Sequence, residues 1–149
     1  VVGVLDFESG AIGNITTSFD MWGPTMNVRE HTKKYIEIYG TEGTITVPDP
    51  VHLGGRINLL RIGKGKEMEW TEIPLAYDQV GEVRGIGLIE MAWAIKQKRI
   101  CRANGNVANH VLEIMHAIHK ASDIGKHIEL KTTCEKPISI PPGLPKGVF

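Results

Sequence analysis

The segment Arg84-Gly85-Ile86-Gly87-Leu88-Ile89-Glu90 places an arginine beside two glycines at what reads as the start of a helix. A Gly-rich turn that opens a helix offers free backbone amides to an anion, and a guanidinium beside them adds directed donors. The pattern is not a dinucleotide fingerprint. Glu90 stands where the third glycine belongs, and the segment follows antiparallel hairpins instead of opening a βαβ unit. Glycine in a first helical turn costs up to about 1 kcal/mol relative to alanine, and an arginine there opposes the helix dipole. Breaches of local preference of this kind often mark functional positions. Two readings stand side by side: Arg84 and the helix amides face an anionic or polyhydroxyl substrate, or the segment is an irregular loop that turns helical only near Leu88.

Glu113-Ile114-Met115-His116, with His110 and His119 close by, has the Glu-x-x-His spacing that puts a carboxylate and an imidazole on one helix face. A di-iron site needs two such elements and two further carboxylates, and the sequence holds one element, so no metal is expected. No Ser-His-Asp spacing or nucleophile elbow is visible. The two cysteines, Cys101 and Cys134, are in no metal-like spacing and read as reduced thiols of a cytoplasmic protein.

The elements that must position these residues change character halfway along the chain. The first half alternates with period two between turn signals, the pattern of half-buried antiparallel strands. Residues 1–7 and 12–19 flank a turn at Gly10. Residues 35–39 and 44–47 flank Gly40-Thr41-Glu42-Gly43, and residues 57–62 and 68–73 flank Gly63-Lys64-Gly65-Lys66. In the second half Ile86, Ile89, Trp93 and Ile95 fit an amphipathic helix over residues 84–98. Val107, Val111, Ile114, Met115 and Ile118 fit a longer one, capped at Asn104 or Asn106 and stopped by Gly125. Residues 127–130 are expected to form a short last strand, and residues 131–149, with Pro137, Pro141, Pro142 and Pro145, an extended tail. Strands first and helices afterwards predict an α+β fold: a mostly antiparallel, open-faced sheet with two helices packed on one face. The opposite face would then need a cover.

The chain has 149 residues, 42% hydrophobic and 23% charged, enough to build a core without disulfides or a structural metal. Seventeen basic residues balance seventeen acidic ones, which argues against nucleic acid as a partner. The longest apolar stretch is interrupted by Glu90, which argues against a membrane span. The sequence begins Val1-Val2-Gly3-Val4-Leu5, as though within a strand, so more chain is expected upstream.

Several of these segments, in this order, resemble the C-terminal domain of the Gfo/Idh/MocA oxidoreductases, the relatives of glucose-fructose oxidoreductase and inositol dehydrogenase. They are Tyr35-Ile36-Glu37-Ile38-Tyr39-Gly40-Thr41-Glu42-Gly43-Thr44-Ile45, Val47-Pro48-Asp49-Pro50, Arg84-Gly85-Ile86-Gly87-Leu88, His110-Val111-Leu112-Glu113-Ile114-Met115-His116-Ala117-Ile118, and Gly125-Lys126-His127-Ile128-Glu129-Leu130. The resemblance implies a two-domain enzyme passing hydride between NAD or NADP and a sugar, cyclitol or related alcohol. Residues 1–149 would be its substrate-binding and oligomerisation domain, forming homodimers or homotetramers through the sheet. The Rossmann half, the cofactor and the catalytic groups would lie upstream of Val1, so this chain alone would be inactive and bind no cofactor. Glu135-Lys136-Pro137 matches the family's lysine motif in letters only, because it sits in the tail where that motif does not occur. The resemblance also implies that Arg84, just ahead of the first helix, reaches substrate. Tyr77, Trp22 and His31 are weaker substrate-binding candidates, chosen because long loops bordering a sheet often line a site. The alternative is a self-standing, non-enzymatic α+β module whose sheet binds a partner protein.

Overall fold

A computed structural model describes residues 1–18, 36–47, 56–62, 68–75, 85–144 and 148. The chain divides into two compact units. The first contains β1 (Val2–Asp6), β2 (Ile12–Thr16) and a long helix, α2 (Gly105–Ile124); the second contains β3 (Ile36–Gly40), β4 (Gly43–Val47), β5 (Ile57–Ile62), β6 (Met68–Ile73) and α1 (Ile86–Lys96). The fold class is α+β. The alternation alone suggests one broad sheet, whereas the strands form a two-stranded ribbon, β1-β2, and a four-stranded sheet, β3-β4-β5-β6. Period two says which side chains share a face but not which edges join, and the described pairings are all between strands adjacent in sequence.

In the first unit, the Phe7 carbonyl accepts the Gly10 amide at 2.8 Å and closes the β1-β2 turn. Register pairs Gly3 with Ile15 and Leu5 with Gly13, so these four share one face of the ribbon. Gly3 is buried, and a side chain there would stand 3.0 Å from Cδ1 of Ile118. This is where α2 meets the ribbon.

In the second unit, consecutive antiparallel registers pair Ile36 with Val47, Ile38 with Ile45, Ile45 with Leu59 and Ile57 with Ile73. Residues opposite one another project from the same face of a sheet, so these side chains form a single apolar layer. β4 and β5 approach so closely at Gly43 that a Cβ there would fall within contact distance of the Leu60 carbonyl oxygen. Helix α1 buries Glu90 and Ala94, four residues apart and therefore one above the other on one face.

The helices start and stop close to the expected positions, for reasons visible in the backbone. Asn104 caps α2: its Oδ1 accepts the amides of Asn106 at 2.9 Å and Val107 at 3.2 Å. Gly125, at φ 63°, ends α2 in the left-handed conformation, with its N–H donated to the Ala121 carbonyl. The first helix begins at Ile86 instead of residue 84, because Gly85 has φ 85° and is not helical. Its carbonyl instead receives the Leu88 and Ile89 amides at 3.0 and 3.1 Å. That geometry accounts for Gly85 without a ligand, since left-handed backbone favours glycine.

Residues 127–130 are a second difference. They are extended but belong to no ladder among the described residues. The side-chain bonds from α2 fall just beyond this segment, on Lys131 and Thr132.

Candidate functional site

All four substrate-binding candidates, Arg84, Tyr77, Trp22 and His31, lie outside the described residues. The polar cluster that the described structure does assemble lies in the first unit, where α2 grips the chain that follows it. Glu113, in the middle of α2, receives the backbone amides of Lys131 at 2.9 Å and Thr132 at 2.8 Å. Its Oε2 also accepts the Thr132 hydroxyl. Nδ1 of His110 lies 2.9 Å from that hydroxyl oxygen. Because the hydroxyl's one proton goes to the carboxylate, His110 must donate to the hydroxyl oxygen, which places a hydrogen on Nδ1.

Three donors converge on one carboxylate, and its acidity follows. The Thr132 hydroxyl contributes most, then the amides of Lys131 and Thr132, with the nearby His110 adding to them. Together they hold the Glu113 carboxyl down from its ordinary 4.5 to about 2. A carboxylate that acidic stays charged at neutral pH and is a weak proton acceptor, so the arrangement suits an anchor and not a general base. Further along, the Arg102 guanidinium donates from Nε to the Ile138 carbonyl at 2.7 Å and from Nη2 to the Ser139 carbonyl at 3.5 Å. At the other end, Nδ1 of His127 lies 3.4 Å from Oδ2 of Asp6, both side chains largely exposed. Side-chain hydrogen bonds thus hold the chain after α2 at residues 131–132 and 138–139.

The Glu113 bonds also settle the Glu-x-x-His pair geometrically. Glu113 is turned toward residues 131 and 132, while His116 and His119 are exposed, so Glu113 and His116 do not converge. Among the described residues no group of three or more His, Cys, Asp or Glu side chains is placed to hold a metal ion. No described helix is long and apolar enough to cross a membrane. Neither cysteine is in a disulfide, and both are half-buried.

Sequence reasoning considered Glu113 and His110 only within a metal element that it set aside, and named neither Thr132 nor Arg102 as a partner. No local signal could have found them: Glu113 and Thr132 are 19 positions apart and Arg102 and Ser139 are 37 apart. Only the reversal of direction after Gly125 brings them together.

No protein-family model matches the chain, and neither the curated proteins nor the solved structures yield a match.

Proposed function

We propose that this chain is the substrate-binding and subunit-association domain of an NAD(P)-dependent oxidoreductase acting on a sugar, cyclitol or related alcohol, and that its four-stranded sheet is the association surface. The observation that carries the association is the apolar layer of that sheet. Ile36, Ile38, Ile45, Val47, Ile57 and Leu59 share one face by register, and each is exposed or half-buried. Ile38 is 55% exposed. A contiguous apolar surface rimmed by polar groups is a site of association, and a second copy of the same face is its self-complementary cover in a two-fold dimer. The oxidoreductase half of the reading rests on the ordered sequence segments that resemble the Gfo/Idh/MocA C-terminal domain. In that reading NAD or NADP is bound by residues preceding Val1, and Arg84 donates hydrogen bonds to substrate oxygens, since a permanently protonated guanidinium cannot act as the base.

Two measurements test it. Light scattering on the 149-residue chain at micromolar concentration should give a dimer or larger species that Ile38→Asp weakens; a strictly monomeric chain refutes the association surface. In the full-length protein, NAD(P)-dependent turnover of polyols or sugars should occur, and Arg84→Ala should weaken substrate binding by about 1.5–3 kcal/mol while sparing cofactor affinity. Association through the sheet without dinucleotide-dependent turnover would select the non-enzymatic module.

A further inference from the structure

The segment after α2 has the alternation of a strand without a strand's partner. Ile128, Leu130, Thr132 and Cys134 are half-buried, while His127, Glu129, Lys131 and Thr133 between them are exposed. Among the described residues, the backbone N–H and C=O groups of Ile128, Glu129 and Leu130 make no hydrogen bond. An extended backbone with one face packed and its polar groups open is a template for another strand.

The sequence of the exposed row selects the partner. In antiparallel pairing of this segment with itself about a two-fold axis at Leu130, Glu129 of each copy stands opposite Lys131 of the other. Ile128 then stands opposite Thr132, and Leu130 opposite Leu130. Shifting the axis to Glu129 would set the two Glu129 carboxylates against each other, and shifting it to Lys131 would oppose the two ammonium groups, so charge favours one register. The hydrogen bonds agree with it. Leu130 N–H would bond the Leu130 carbonyl of the second copy and receive the same bond in return. Ile128 N–H of each copy would bond the Thr132 carbonyl of the other, without a return bond from the Thr132 N–H that Glu113 holds. These four bonds use amides with no partner among the described residues and leave the Lys131 and Thr132 amides to Glu113, whose grip would end the ladder.

We infer that residues 128–132 form a two-fold antiparallel strand pair with a second copy of this chain, centred on Leu130. The inference does not rest on the sheet face proposed above, which belongs to the other compact unit, and the two contacts can be told apart. In a background of Cys101→Ser and Cys134→Ser, the double variant Glu129→Cys/Lys131→Cys should form disulfide-linked dimers on mild oxidation. Either single cysteine variant should do so far less, because in this register 129 meets 131 and neither meets itself. In the background without cysteines at 129 and 131, Glu129→Lys or Lys131→Glu should weaken the contact roughly tenfold, since two symmetric attractions become repulsions, and the double swap should restore it. All these positions are exposed, and circular dichroism on each variant verifies the fold. Absence of the 129–131 crosslink overturns the inference, whether the chain is monomeric or associates through its sheet. Equal crosslinking by the single variants, or charge reversals without effect and without rescue, also overturns it.

Discussion

Substituting alanine for Gly43 tests whether the four-stranded sheet is built as described, because the new methyl would meet backbone and not a movable side chain. A Cβ at Gly43 would be 3.2 Å from the Leu60 carbonyl carbon and 3.5 Å from the Arg61 Cα, and closer still to the Leu60 oxygen. Ordinary carbon–oxygen contacts between strands are about 3.3–3.6 Å, so β5 must retreat by on the order of 1 Å. Such a displacement stretches a ladder bond beyond useful length. Losing one or two backbone hydrogen bonds costs about 0.5–1.5 kcal/mol each, and overpacking strain adds about 1–3 kcal/mol. The expected destabilisation is therefore about 1.5–6 kcal/mol, a large part of the roughly 5–15 kcal/mol that holds a typical domain together. Urea denaturation followed by circular dichroism measures it. Gly87→Ala is the internal control, since Gly87 lies in α1 with nothing within 4 Å of a Cβ and no positive φ. It should stabilise by about 0.5–1 kcal/mol through helix propensity. If Gly43→Ala stays within about 0.5 kcal/mol of the parent, the close approach of β4 to β5 is wrong.

The Glu113 anchor predicts a pH signature. A carboxyl whose folded pKa is depressed contributes stability that is fully present above the ordinary 4.5 and is lost as pH falls toward 2, so the Lys131 and Thr132 amide resonances should titrate near 2; a midpoint near 4.5 would mean the bonds are not made. Glu113→Gln should remove that titration and increase hydrogen exchange at both amides. Asn104→Ala removes the cap of α2 and should cost about 0.5–2 kcal/mol in thermal or urea unfolding, with Asn104→Asp retaining most of it. Titration of the 149-residue chain with NADH and NADPH should show no measurable binding, because the phosphate-binding turn is absent from this sequence; micromolar affinity would place a dinucleotide site here and overturn the domain assignment.

The local rules carried most of the elements. Alternation between Gly-containing turns located the six strands found among the described residues, and the Asn104 cap and Gly125 stop bounded α2, because a strand's period, a cap's oxygen and a left-handed residue are each decided within a few positions. Local propensity also flagged residues 84–90 as irregular. Only the backbone explained the second residue of that segment, with Gly85 turning left-handed ahead of the helix. What sequence alone could not decide was which edges pair and what lies across space. Two sheets instead of one, the absence of a ladder at residues 127–130 among the described residues, and the joining of Glu113 to Thr132 all depend on contacts between positions far apart in sequence. A carboxylate on a helix offers the same acceptors whether they take a metal or the amides of a returning strand. Tertiary structure chose the amides by bringing three donors within hydrogen-bond distance of one side chain.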